Sequence, residues 1–77
     1  MTFKIGERVH VDMGRFTGGK PYEKVMEGNT LRFTFAVGAK LEGIVRDLST
    51  TEMKVEMRVA PLVGEILNVP QSVVSKK

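Results

Sequence analysis

The chain has 77 residues, with 12 Lys and Arg against 9 Asp and Glu, one His and no Cys. A chain this short forms one domain with a thin core, because folding buries only roughly 60% of its unfolded surface. The lack of Cys excludes disulfides and thiolate metal sites and favours a reducing compartment. The start, MTFKIGER, holds no apolar run typical of a signal peptide, and charges interrupt every later stretch before membrane-spanning length. We therefore expect a soluble, cytoplasmic protein with no membrane partner.

The net charge of +3 is concentrated in one part of the chain, residues 14–40, which we call the basic segment. Basic and acidic residues cancel in residues 1–13 and again in residues 41–77. The basic segment carries five cations against Glu23 and Glu27, a surplus of three; the cations are Arg15, Lys20, Lys24, Arg32 and Lys40. Any electrostatic partner should therefore be sought at this segment.

The first predicted element is a strand over residues 8–13, directly after the turn-forming Gly6. Val9, Val11 and Met13 alternate with polar residues, and alternate side chains of a strand point to opposite faces. His10 lies on the outward phase of this strand. Without Cys or a second His to complete a ligand set, it is expected to be a surface residue, so no metal is predicted.

The stretch RFTGGKPYEK at residues 15–24 shows no strand alternation and interleaves two aromatic residues with three cations. We predict a loop with Gly18-Gly19-Lys20 at its tip. This glycine pair is not interpreted as a phosphate cradle, because neither a buried strand precedes it nor a helix follows it.

Further strand patterns follow along the chain. Leu31, Phe33, Phe35 and Val37 share one phase and predict a half-buried strand over residues 31–37 with these side chains on its inner face. Within residues 51–60, charged and apolar side chains alternate strictly from Glu52 to Val59, and shorter apolar runs occupy 41–48 and 64–69. Residues 69–77 predict one helical turn starting at Pro70 and then a last short strand. Turn residues separate these runs, at Gly14, Gly28-Asn29, Gly38, Ser49-Thr50 and Ala60-Pro61.

These patterns predict an all-β fold, a five- or six-stranded antiparallel SH3-like small barrel that spans residues 1–77 as a single domain. Closing a small sheet into a barrel removes exposed edges. The basic segment is then an extended loop or arm. The predicted core consists of the inward apolar residues, namely Val9, Val11, Phe33, Phe35, Leu41, Val45, Met53, Val55, Met57, Val59 and Leu67, with Ile44, Leu48, Ile66 and Val69 also suited to buried positions.

The stretch GERVHVDMGRF at residues 6–16 combines a predicted strand with a glycine turn and a bulky residue. LEGIVRDL at 41–48, MKVEM at 53–57 and VPQSV at 69–73 follow as later strands and a terminal turn. In these stretches the sequence resembles a KOW-type barrel, such as the C-terminal domain of the bacterial elongation factor NusG. Residues 15–40 intervene where the family has a short connection. The resemblance implies RNA, or a protein of the transcription or translation machinery, as partner.

The chain contains no catalytic motif, so we expect a non-catalytic binding module without a cofactor. Aromatic faces can stack on unpaired bases while cations contact phosphates. This predicts binding of nucleic acid, RNA or DNA, through the basic segment, at Arg15, Phe16, Lys20, Tyr22, Lys24, Arg32 and Lys40. In the competing interpretation Phe16 caps the barrel and the cations only keep the loop soluble.

The alternative function is a protein-protein interaction module, an adaptor or inhibitor, that docks by a strand edge or the same segment. A domain this small can also gain stability by self-association.

Overall fold

The computed structural model describes residues 2–77, which form short strands and two short helical turns. The elements, in chain order, are β1 (Arg8–Asp12), α1 (Met13–Thr17), β2 (Tyr22–Met26), β3 (Asn29–Phe33), β4 (Lys40–Leu48), β5 (Glu52–Met57), β6 (Ile66–Pro70), a 3₁₀ turn (Gln71–Val73) and β7 (Val74–Lys76). The all-β class is confirmed. The predicted helical turn after Pro70 and the closing strand are confirmed as well.

Five strands form one antiparallel sheet in the order β6-β5-β4-β1-β7. This arrangement is consistent with the predicted small barrel, although β6 and β7 remain at the edges of the hydrogen-bonded sheet. In β5 the residues Met53, Val55 and Met57 are buried, while the residues between them face solvent. The alternation along the strand therefore determines which face of the sheet packs on the core. Gly43 of β4 lies opposite Met57, and its missing side chain leaves room for Val55.

Three strands are entered by the same kind of turn. Backbone hydrogen bonds close four-residue turns that end at Glu7 (3.0 Å), Ala39 (3.0 Å) and Glu65 (2.9 Å). The third residue of each turn is a glycine with φ near 85°, as a type II turn requires. The second residue of each turn is an exposed aliphatic side chain, and these residues are Ile5, Val37 and Val63. Their exposure follows from turn geometry.

The core lies against the inner face of the sheet. Most predicted core residues are buried, but Phe33, Phe35 and Leu41 pack only partly against it, and Val59 is half-buried. The prediction of a buried Ile66 is wrong, because strand alternation places it outward beside the buried Leu67. The core also contains residues outside the strong alternating runs, namely Phe3, Leu62, Val73 and Val74.

Strands β2 and β3 form a separate hairpin, which we call the arm (residues 22–33). Its two-residue turn, Glu27-Gly28, has positive φ at both positions (49° and 82°), as in a type I′ hairpin turn. The turn therefore lies one residue earlier than predicted. The predicted strand over 31–37 is wrong beyond Phe33, because the chain leaves the hairpin there and Val37 is fully exposed.

The arm lengthens the molecule, which measures 36 × 25 × 20 Å. Its radius of gyration is 12.1 Å, whereas a compact chain of this length has about 11.5 Å. The main sheet thus carries a projecting two-stranded element, built from the basic segment.

Candidate nucleic-acid interface

The basic segment begins with α1, which follows directly from β1. The Asp12 carboxylate accepts a hydrogen bond from the Arg15 backbone N–H (3.1 Å) and so caps the helix. The Thr17 hydroxyl donates to the Met13 carbonyl (2.9 Å), and the helix ends at Gly18 with a positive φ of 63°. Gly18-Gly19-Lys20 is therefore the connection from α1 to β2. The prediction that it forms the tip of the segment is wrong, because the tip is the arm turn at Glu27.

Three predicted site residues lie on α1 or next to its ends, and we call Arg15, Lys20 and Lys40 the α1 cluster. Arg15 Nη1 donates to the carbonyl of Ser72 in the 3₁₀ turn (3.4 Å). Lys20 follows the helix, with its backbone N–H donating to the Thr17 carbonyl (3.2 Å). Lys40 lies opposite Asp12 in the β1–β4 register. Within residues 2–77, none of the three side chains forms an ion pair within 4.0 Å.

The other two predicted cations lie on the arm, and each has a carboxylate partner. Lys24 Nζ is 3.6 Å from Glu65 Oε2, and its side chain is only 15% exposed. Arg32 Nε is 3.9 Å from Glu23 Oε2, and its side chain is 70% exposed. Lys24 lies opposite Leu31 on one face of the hairpin, whereas Arg32 and Glu23 face each other on the opposite one. The structure therefore does not bring all five cations onto one surface.

The two aromatic site residues are both half-buried and pack against the core. Phe16, on α1, covers the core as the capping interpretation expects, and part of its ring remains exposed. Tyr22 lies opposite Phe33 at the base of the arm. Burial, together with the Glu65 carboxylate, raises the pKa of the Tyr22 phenol above its usual value. Each ring therefore offers only part of its surface to a ligand.

Sequence reasoning missed the residues that complete this region, because they lie far from it in the chain. Glu65 neutralises Lys24 from the β5–β6 connection, and Ser72 accepts from Arg15. Neither contact leaves a local pattern. Sequence reasoning also missed that three apolar residues of the arm are exposed, although the polar residues next to them in the sequence could have indicated this exposure. These residues are Val25, Met26 and Leu31.

The outer face of the main sheet carries a separate network of ion pairs. Glu56 pairs with Arg46 (2.9 Å) and Arg58 (3.2 Å), and Glu42 pairs with Lys77 (2.9 Å). Hydrogen bonds from these cations lower the pKa values of both carboxyl groups. His10 lies on this face, opposite Glu42. The Glu56–Arg46 pair joins the neighbouring strands β5 and β4, whereas Arg58 reaches Glu56 from two residues along the chain and Lys77 reaches Glu42 from the residue after β7.

A shallow pocket lies where the chain turns from β4 into β5. Its volume of about 190 Å³ is smaller than the 300–1,000 Å³ usual for small-molecule sites. It is lined by Asp47, Leu48, Ser49, Glu52, Met53, Lys54 and Asn68. Among the described residues, no group of three or more potential metal ligands comes together. In the same residues, both helical turns are too short to cross a bilayer.

Comparisons with known protein families, with curated proteins and with solved structures find no match to this chain. The resemblance to KOW-type barrels therefore stays a prediction.

Proposed function

We propose that this protein is a non-catalytic binding module that holds single-stranded nucleic acid at the α1 cluster. One observation carries the proposal. The three cations of the α1 cluster form no ion pair with a carboxylate within residues 2–77, and they lie in the segment that supplies the whole surplus charge. A cation without a carboxylate partner is available to neutralise a phosphate and to release its counterions.

The arrangement around α1 supports this assignment. Asp12 caps the helix by accepting from the Arg15 backbone N–H, and its backbone lies opposite that of Lys40 in the β1–β4 register, so the two cations start from fixed backbone positions. Phe16 projects from the same helix, and its exposed part can stack on a base. Lys24 and Arg32 are assigned a smaller role, because Glu65 and Glu23 already neutralise them. The KOW resemblance supports RNA, and the transcription or translation machinery, as the setting.

A binding titration tests the proposal. Fluorescent single-stranded and duplex RNA and DNA are titrated at about 50 mM salt with the wild type and with Lys20→Ala/Lys40→Ala. At that salt each single-strand phosphate contact supplies about eightfold in affinity, so the double variant should bind roughly sixtyfold more weakly. The matched control is Lys24→Ala/Arg32→Ala, which removes the same formal charge from paired positions and should bind nearly as the wild type does.

Two results would reject the proposal. One is the absence of binding to all four nucleic acids, and the other is an equal loss of affinity in both double variants. In the second case the effect would reflect net charge rather than the α1 cluster.

The second candidate function is a protein-protein interaction module that docks through the arm. It is favoured by the exposed apolar residues Val25, Met26 and Leu31, which project with the arm from the main sheet. Affinity capture from a nuclease-treated lysate separates the two functions. Retention of one protein at stoichiometric amounts, abolished by Val25→Asp, would favour this candidate.

A further inference from the structure

Four strands lie at sheet edges in residues 2–77, and three of them carry features that discourage pairing with another chain. β6 ends at Pro70 and follows a bulge at Gly64, where two residues oppose Met57. β7 has only three residues and includes Lys76. β2 follows Pro21 and places Glu23 and Lys24 in succession.

β3 is the exception among these edges. Its sequence, Asn-Thr-Leu-Arg-Phe, contains no Pro or Lys, its pairing with β2 runs without a bulge, and four of its five residues are exposed. Two of its residues, Thr30 and Phe33, are of types enriched in strands. An edge of this kind is open to pairing with another strand.

The hydrogen-bond phase of the hairpin shows which groups are available. The two-residue turn joins Met26 to Asn29, so this pair exchanges both backbone hydrogen bonds, and the alternation continues at Leu31 and Phe33. Thr30 and Arg32 therefore direct their N–H and C=O groups away from β2. β3 pairs with no other strand in the described chain, so these four groups lie on its open edge.

We propose that the open edge of β3 binds β3 of a second copy of this chain, in antiparallel register about a twofold axis at Leu31. Thr30 of each copy then exchanges hydrogen bonds with Arg32 of the other, which satisfies all four groups on each edge. Leu31 faces Leu31 across the axis in a close, non-hydrogen-bonded pair. The two arms become one four-stranded sheet, which is more stable than an isolated hairpin.

The charges of the arm favour this register. Arg32 lies opposite Thr30 of the other copy, so like charges do not meet, and its own Glu23 is 3.9 Å away. The equivalent pairing of two β2 strands would place Lys24 opposite Lys24 on the axis, and like charges directly opposite destabilise a sheet. The self-complementarity of β3 thus identifies a second copy as the occupant. This inference goes beyond the proposed function and does not depend on it.

Sedimentation equilibrium without nucleic acid tests the pairing. Up to about 1 mM protein, the wild type should shift from the 8.6 kDa monomer to twice that mass. Leu31→Lys places like charges on the axis and should raise the dissociation constant roughly tenfold or more. Val25→Lys is the matched control, because it adds the same charge to an exposed apolar position on β2, the other strand of the arm, and should still associate.

Circular dichroism first establishes that both variants keep the wild-type fold. Amide exchange then identifies the strand involved, because Thr30 and Arg32 should become protected as the concentration rises, whereas Glu23 and Val25 should not. A wild type that stays at 8.6 kDa up to about 1 mM overturns the pairing. So do equal losses in the two variants, or protection that appears on β2 or β6 instead.

Discussion

Replacing Gly43 by alanine inserts a methyl group into the most crowded position of the main sheet. The added Cβ would overlap Val55 Cγ1 and approach the Glu56 carbonyl oxygen to 3.0 Å. Overpacking of this kind costs about 1–3 kcal/mol, and the lower entropy of the unfolded alanine chain offsets about 0.4–1 kcal/mol. We therefore expect a net loss of roughly 1–2 kcal/mol. That is a large share of the roughly 4–12 kcal/mol expected for a domain of this size.

Urea unfolding followed by circular dichroism measures this loss, and Tm should fall by roughly 4–16 °C. Val55→Ala removes the atom that the new methyl group would overlap. In that background Gly43→Ala should be less destabilising by at least about 0.5 kcal/mol. A Gly43→Ala protein as stable as the wild type, or costs that add without coupling, would refute the packing described for β4 and β5.

Three further predictions concern α1, the turn of the arm and the ion pairs on the outer face of the main sheet. In Gly14→Ala, the new Cβ would lie 2.6 Å from the Ala36 carbonyl oxygen, so we expect a loss of about 1–2 kcal/mol and chemical-shift changes centred on residues 34–39. Glu27→Asn should stabilise the protein by roughly 0.5–1 kcal/mol and slow amide exchange in the arm, because asparagine tolerates the left-handed conformation found there. The lowered pKa values of Glu42 and Glu56 contribute stability above their unfolded value of 4.5, so urea midpoints should fall as pH drops below it. Unchanged midpoints between pH 6 and pH 3 would contradict the last of these.

The main sheet could be predicted from the sequence because its strands bury one face and expose the other. In residues 52–57 every second side chain is apolar, and the structure buries Met53, Val55 and Met57. Gly6 and Gly38, which lie in the turns before β1 and β4, gave an equally local indication, because a type II turn needs a positive φ at its third position.

The region between β1 and β4 could not be predicted in the same way. Alternation in residues 31–37 predicts one half-buried strand, but the apolar side chains there belong to two different parts of the structure. Phe33 and Phe35 pack against the core and are partly buried, whereas Leu31 is an exposed residue of the arm and Val37 lies in an exposed turn. Five residues of α1 are too few to show a helical period.

The candidate site was identified in composition but not in arrangement. The surplus charge of the basic segment is visible in the sequence, whereas its division between α1 and the arm is not. That division depends on two contacts. Glu65 forms an ion pair with Lys24, although the two residues are 41 positions apart in the chain, and the register of the hairpin places Arg32 opposite Glu23. Long-range contacts of this kind leave no pattern in a single sequence.

The salt dependence of single-strand binding tests the central claim most directly. With three phosphate contacts from the α1 cluster, the slope of log K against log salt should be about −2 between about 50 and 200 mM. Lys20→Ala/Lys40→Ala should reduce its magnitude by about 1.4, and Lys24→Ala/Arg32→Ala should leave it nearly unchanged. A slope near zero, or the same reduction in both variants, would contradict the assignment of phosphate contacts to the α1 cluster.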